Sequence, residues 1–233
     1  MSDDERSERE DRLHRALNYP YEWPGTCYLF HGGRAHPVTH REPLRNGRIP
    51  VLAYGSNRAP EQLVRKFGAL DAADAIFVER CEISGWDVVH SAHVTSYGAV
   101  PAALHVHEDV TVTVAITWLN HEQVKAMDIS ERAGRNYGRE RLGRTAILSD
   151  GIACDAVEAY ITTHGPLTVE EEIVGHADVD ARGRSRFALR NAEVLARAHR
   201  EIAPAVAFED FVIRLSTDAP YRERVTGRLK EGL

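Results

Sequence analysis

A chain of 233 residues with 43% hydrophobic and 27% charged residues is long enough to bury one sizeable globular core. Its formal net charge of −6 offers no positive field toward nucleic acid or an anionic membrane, so neither is expected as a partner. The cysteines Cys27, Cys81 and Cys154 are far apart, odd in number and without CxxC spacing. That pattern argues against a disulfide framework or a zinc site and fits reduced thiols in a cytoplasm.

Residues 1–17 are dense in Asp, Glu and Arg with no apolar stretch, which excludes a signal peptide or membrane span and predicts a flexible, marginally helical start. Residues 18–48 set Tyr19, Tyr21, Trp23, Tyr28 and Phe30 among Pro20, Pro24, Pro37 and Pro43. Aromatic anchors mixed with breakers predict an extended arm packed on the surface of a single domain that fills 49–233. An apolar strand from residue 49 runs into Tyr54-Gly55-Ser56-Asn57, Pro60 opens a helix in its first turn, and Gly68 ends it.

Strand-like runs follow at 75–84, 86–93, 102–107 and 110–119, with His107-Glu108-Asp109 read as the reversal between the last two. Asn120 and Gln123 have capping-box spacing, so a helix begins there and ends near Asp128. A strand is expected over 141–148, with Asp150-Gly151 turning it into a second at 153–162. Helical periodicity marks 167–176, 186–202 and 208–215. This order predicts an α+β fold: a mixed sheet with flanking helices that gather toward the C-terminus, without internal repeats.

Two segments carry candidate chemistry. A strand that ends in Gly55-Ser56 and opens a helix points backbone N–H groups at a bound anion or carbonyl, and Asp128-Ile129-Ser130-Glu131 places a carboxylate just after a short helix. The bland readings are a tight turn for Gly55 and Ser56, a helix cap for Asn57 and a solvated acid for Glu131. Tyr54 and Tyr137 pack against the sheet or turn a hydroxyl to a pocket. Arg139 either holds a substrate carboxylate or pairs with Glu140 or Asp128.

These elements, the Tyr54-Gly55-Ser56-Asn57 turn, the β-hairpin expected at 102–119, the short helix, Asp128-x-x-Glu131 and Tyr137-x-Arg139, resemble the gamma-glutamylcyclotransferase family and its AIG2-like relatives over residues 49–163. The resemblance implies a small, barrel-like mixed sheet with flanking helices, Glu131 as the catalytic group, and release of a γ-glutamyl unit as 5-oxoproline. Tyr54, Gly55, Ser56, Asn57, Tyr137 and Arg139 then bind the substrate, a small γ-glutamyl compound. Arg132 stands where the family has glycine. The substrate brings its own nucleophile, the α-amine, so a carboxylate base and an oxyanion cradle cover the remaining tasks without a cofactor or metal.

Two other readings remain open: a non-catalytic binding module on the same fold, and a metal-dependent hydrolase built from His90, His93, His105 and His107. Gly32-Gly33 and Gly183 belong to no phosphate-binding motif, and the arginines at 182, 184 and 186 read as a solvated loop.

Overall fold

The computed structural model describes residues 2–40, 42–131 and 137–233; Arg132 lies outside them. Helix α1 (Asp3–Leu17) is followed by strands β1 (Tyr28–His31) and β2 (Arg34–Pro37), the short α2 (Glu42–Arg45), β3 (Ile49–Ala53) and α3 (Pro60–Phe67). Two long strands come next, β4 (Ile76–His90) and β5 (Ala102–Leu119), then α4 (His121–Ser130), β6 (Tyr137–Arg141), β7 (Ala146–Leu148), β8 (Ala153–Cys154) and β9 (Glu158–Thr162). The chain ends in five two-residue strands, β10 (Thr168–Val169), β11 (Glu172–Ile173), β12 (Gly175–His176), β13 (Ala181–Arg182) and β14 (Ala188–Leu189), and the helices α5 (Asn191–Ile202), α6 (Phe208–Thr217) and α7 (Ala219–Glu231).

The fold is α+β. Its main sheet runs β14-β12-β4-β5-β3-β9-β6; β3 is antiparallel to β5 and parallel to β9. No pairing among the described residues joins the two ends of that path, so the sheet is open where a barrel-like one was expected. Alternating Val110, Val112, Val114 and Ile116 fill one face of β5, all fully buried with Leu52 and Ile83. A second apolar cluster joins α5, α6 and α7 through Val194, Leu195, Phe211, Leu215, Val225 and Leu229.

Several elements differ from their sequence reading. His107-Glu108-Asp109 makes no reversal: β5 is continuous, and the irregularity sits on β4, where the register shifts between Ser84 and Trp86 and Gly85 takes φ 82°. The reversal lies between β4 and β5, where Gly98 at φ 89° donates its N–H to the Thr95 carbonyl. The helix expected at 167–176 is instead β10 to β12. Glu170 and Glu171 adopt φ 52° and 68°, a left-handed turn that no α-helix accommodates.

The stretch expected to be flexible forms α1, started by a Ser2–Glu5 capping box and docked through Leu13, Ala16 and Leu17. Its apolar stripe occupies only the last turns, which is why composition concealed it. The segment expected as a surface arm enters the sheet instead, where Tyr28 to Phe30 pair with Val78 to Ile76. Helix α7 was not anticipated; Tyr221, Val225 and Leu229, four apart, are its buried face in a charged sequence.

The arginine loop is only partly solvated: Arg182 is exposed, whereas Arg184 and Arg186 turn inward. Asp87 is fully buried and accepts from Arg184 Nε and Nη2 at 2.9 and 2.6 Å, while Arg186 Nε lies 3.4 Å from its other oxygen. A carboxylate out of water requires such partners. No helix among the described residues is long and apolar enough to cross a membrane.

Candidate functional site

Strand β3 delivers Tyr54 and Gly55 to a three-residue turn of 3-10 helix, Ser56–Arg58, and Pro60 then starts α3. Helix α4 begins at the capping box between Asn120 and Gln123 and ends with Glu131 as its C-cap residue, having buried Val124 and Met127. Packing of α3 on α4 brings the turn and Glu131 together. Asn57 Nδ2 donates to Glu131 Oε1 at 2.9 Å, and the ammonium of Lys66 donates to the same oxygen.

Lys66 also reaches Met127 Sδ at 3.2 Å, and the Lys66 and Glu131 side chains are only 7% and 16% exposed. Both bonds fall on Oε1, so Oε2 accepts none from the described residues. The NH2 of Asn57 serves the carboxylate, and its amide oxygen Oδ1 is buried without a partner among the described residues, as is Gln62 Oε1 on α3.

These groups line a cleft of about 930 Å³ whose wall includes Tyr19, Tyr54, Gly55, Ser56, Tyr97 and Tyr137. Tyr54 Oη donates to the Tyr160 carbonyl at 2.5 Å, and Tyr19 Oη accepts from Ala102 N–H at 2.9 Å. Burial pushes the Tyr19, Tyr54, Tyr97 and Tyr137 phenols up, and the Glu131 charge adds to the effect. They therefore stay neutral hydroxyls.

His93 also borders the cleft, pushed down to about 3 first by burial and then by His164 and Lys230. Its Nδ1 pairs with Ser91 Oγ at 2.8 Å and its ring stacks on His164 at 4.1 Å. It is a neutral imidazole at ordinary pH.

Of the residues predicted from sequence, Tyr54, Gly55, Ser56, Asn57, Glu131 and Tyr137 meet in the cleft. Arg139 does not. Its Nε donates to Asp128 Oδ1 at 2.9 Å and its Nη1 to Glu158, and Tyr160 Oη donates to the same Asp128 oxygen at 2.6 Å. Gly55 has φ −113°, so its role is not left-handed backbone. A Cβ there would stand 2.5 Å from Tyr19 Oη, and close approach of that ring is what requires glycine.

Sequence reasoning missed Lys66 and Gln62, whose signal was their shared face on α3, four residues apart. The four histidines of the metal reading do not converge: His90 bonds the Leu189 carbonyl and stacks on His176, whereas His93 stacks on His164. Among the described residues, no group of three His, Cys, Asp or Glu side chains is arranged to hold a metal.

No family model matches the chain, and no curated protein does. Among solved structures, it is similar to a gamma-glutamyl cyclotransferase at 12% identity, covering 79% of this chain and 99% of that one with a TM-score of 0.42. Two Arabidopsis thaliana proteins solved in solution are similar at 15% and 11% identity, with TM-scores of 0.38 and 0.40. The first covers 66% of this chain and 85% of its own, the second 79% and 90%. With scores of this size, the reading of the site rests on its own residues.

Proposed function

We propose that the cleft cyclises a γ-glutamyl amine, amide or dipeptide to 5-oxoproline and releases the amine. The observation that carries this reading is Glu131, held at the cleft through Oε1 by Asn57 and Lys66, with Oε2 accepting no bond from the described residues. A carboxylate oxygen left over at the cleft suits an α-ammonium, which titrates near 8 and yields protons to a carboxylate as it attacks. The amine nitrogen bonds to the γ-carbonyl carbon, that carbon's bond to the leaving nitrogen breaks, and the two protons the α-ammonium sheds on becoming the lactam N–H pass by way of Glu131 to the leaving nitrogen, which departs as an ammonium. Atoms balance without water. The Gly55 and Ser56 N–H groups are the assigned cradle for the oxyanion, and a folded-back substrate gains from proximity.

The same pair favours a second reading, a non-catalytic binding cleft, because the Lys66 ammonium already offsets the Glu131 charge. A panel of γ-glutamyl compounds assayed for 5-oxoproline by mass spectrometry decides between them. Release from at least one member is expected; binding without release would overturn catalysis and leave the second reading.

A further inference from the structure

The cleft of this acidic protein is itself cationic. Among its described lining residues stand five cations, Arg15, Arg65, Lys66, Arg222 and Lys230, against two carboxylates, Glu131 and Glu223. Lys66 is spent on Glu131, and Arg65 Nη2 pairs with Glu61. The other three form no ion pair with any described residue. Arg15 is held over the Tyr97 ring at 4.8 Å, with its Nε buried and unpartnered, and Arg222 Nη1 is fixed on the Leu215 carbonyl at 2.8 Å. Lys230 stands exposed at the rim, near enough to His93 and His164 to lower both imidazoles.

Arg15 comes from α1, Arg222 and Lys230 from α7, so elements outside the strand-and-turn motif add positive charge to the cleft lining. Guanidinium groups held by stacking and a backbone carbonyl are preorganised for oxyanions, and unpaired like charges in a concave wall focus a field that attracts anions. The α-ammonium of the γ-glutamyl head is met by Glu131 and its α-carboxylate engages one of these three cations, which leaves two for the departing amine.

We infer that the amine released from this cleft carries two or more negative charges, as carboxylates or phosphates, bound by two of Arg15, Arg222 and Lys230. This rests on the cyclisation reading above. The test is a charge series of leaving amines on the unaltered protein: γ-glutamyl methylamide, γ-glutamyl-alanine, γ-glutamyl-aspartate and γ-glutamyl-phosphoserine. The expected result is a kcat/KM that climbs by about tenfold or more from methylamide to the multiply charged members and loses most of that gain near ~0.5 M salt.

Two of the variants Arg15→Gln, Arg222→Gln and Lys230→Gln should reduce the ratio of aspartate to methylamide conjugate. The salt titration keeps the test independent of whether any variant folds. A flat series, or a preference untouched by salt, overturns the inference. The aspartate and phosphoserine arms tell carboxylate from phosphate. If no compound turns over, the cyclisation reading fails, and calorimetric binding of the same series decides separately whether the anion site exists: tighter binding with charge supports it, and equal binding overturns it.

Discussion

Asn57 Nδ2 reaches Glu131 Oε1 across 74 positions of sequence, at 2.9 Å, and Lys66 donates to the same oxygen. One carboxylate oxygen is therefore structural, and the other is the only part of Glu131 available to a ligand among the described contacts.

Glu131→Gln is expected to lower turnover by at least about 10²-fold, the typical scale for loss of a general base. It also strands the Lys66 ammonium, whose side chain is 7% exposed, so stability should drop by about 1–3 kcal/mol. Adding Lys66→Met to that variant should restore most of the stability and none of the activity. Chemical denaturation beside the 5-oxoproline assay checks both, and retention of more than a tenth of the wild-type rate would remove Glu131 from its role.

Gly55→Ala should destabilise the fold by about 1–3 kcal/mol through overpacking, because its Cβ meets the Tyr19 hydroxyl at 2.5 Å. Tyr19→Phe on that background removes the clashing oxygen and should recover part of the loss, less the hydrogen bond to Ala102 N–H. A double-mutant cycle on thermal stability measures the coupling. Simple additivity would mean that the backbone, and not the ring, gives way.

Arg139→Gln is expected to leave KM within about twofold, since the guanidinium is engaged by Asp128 and Glu158 and lies away from the cleft lining. Its stability cost should stay near ~1 kcal/mol for a pair of this exposure. A KM raised tenfold or more would return Arg139 to substrate binding.

Stability should decline on mild acidification. His93 and His90 are pushed down by burial to about 3 and about 4, and His176 is lowered by burial and by His90. Their unfolded counterparts titrate near ~6.5. As pH falls through that value, the unfolded chain gains protons that the folded one refuses. The contribution is thus whole above it and drains toward the folded values, at up to about 1.4 kcal/mol per pH unit for each histidine. Urea midpoints that fall steadily between about pH 6.5 and 5 are expected. A constant midpoint would show that these rings accept protons in the folded protein.

What sequence alone determined is what operates within a turn or two of chain. The Asn120–Gln123 capping box, Pro60 opening α3 and Gly68 closing it at φ 69°, and the alternation along β5 all formed where local chemistry called for them. The Gly-Ser turn and the acid at Glu131 were legible for the same reason. Tertiary structure decided which partners those groups have. Arg139 was open to a ligand or an ion pair until β6 and β9 set it against Asp128 and Glu158. Lys66 was one cation among many until α3 packed on α4 and aimed it at an acid 65 residues later. Helices α1 and α7, polar along most of their length, acquire their place only by burying a narrow stripe against α5 and α6, and with it they carry Arg15, Arg222 and Lys230 to the cleft. Burial and ion pairing between distant elements depend on how the core packs, and no short window of residues encodes that.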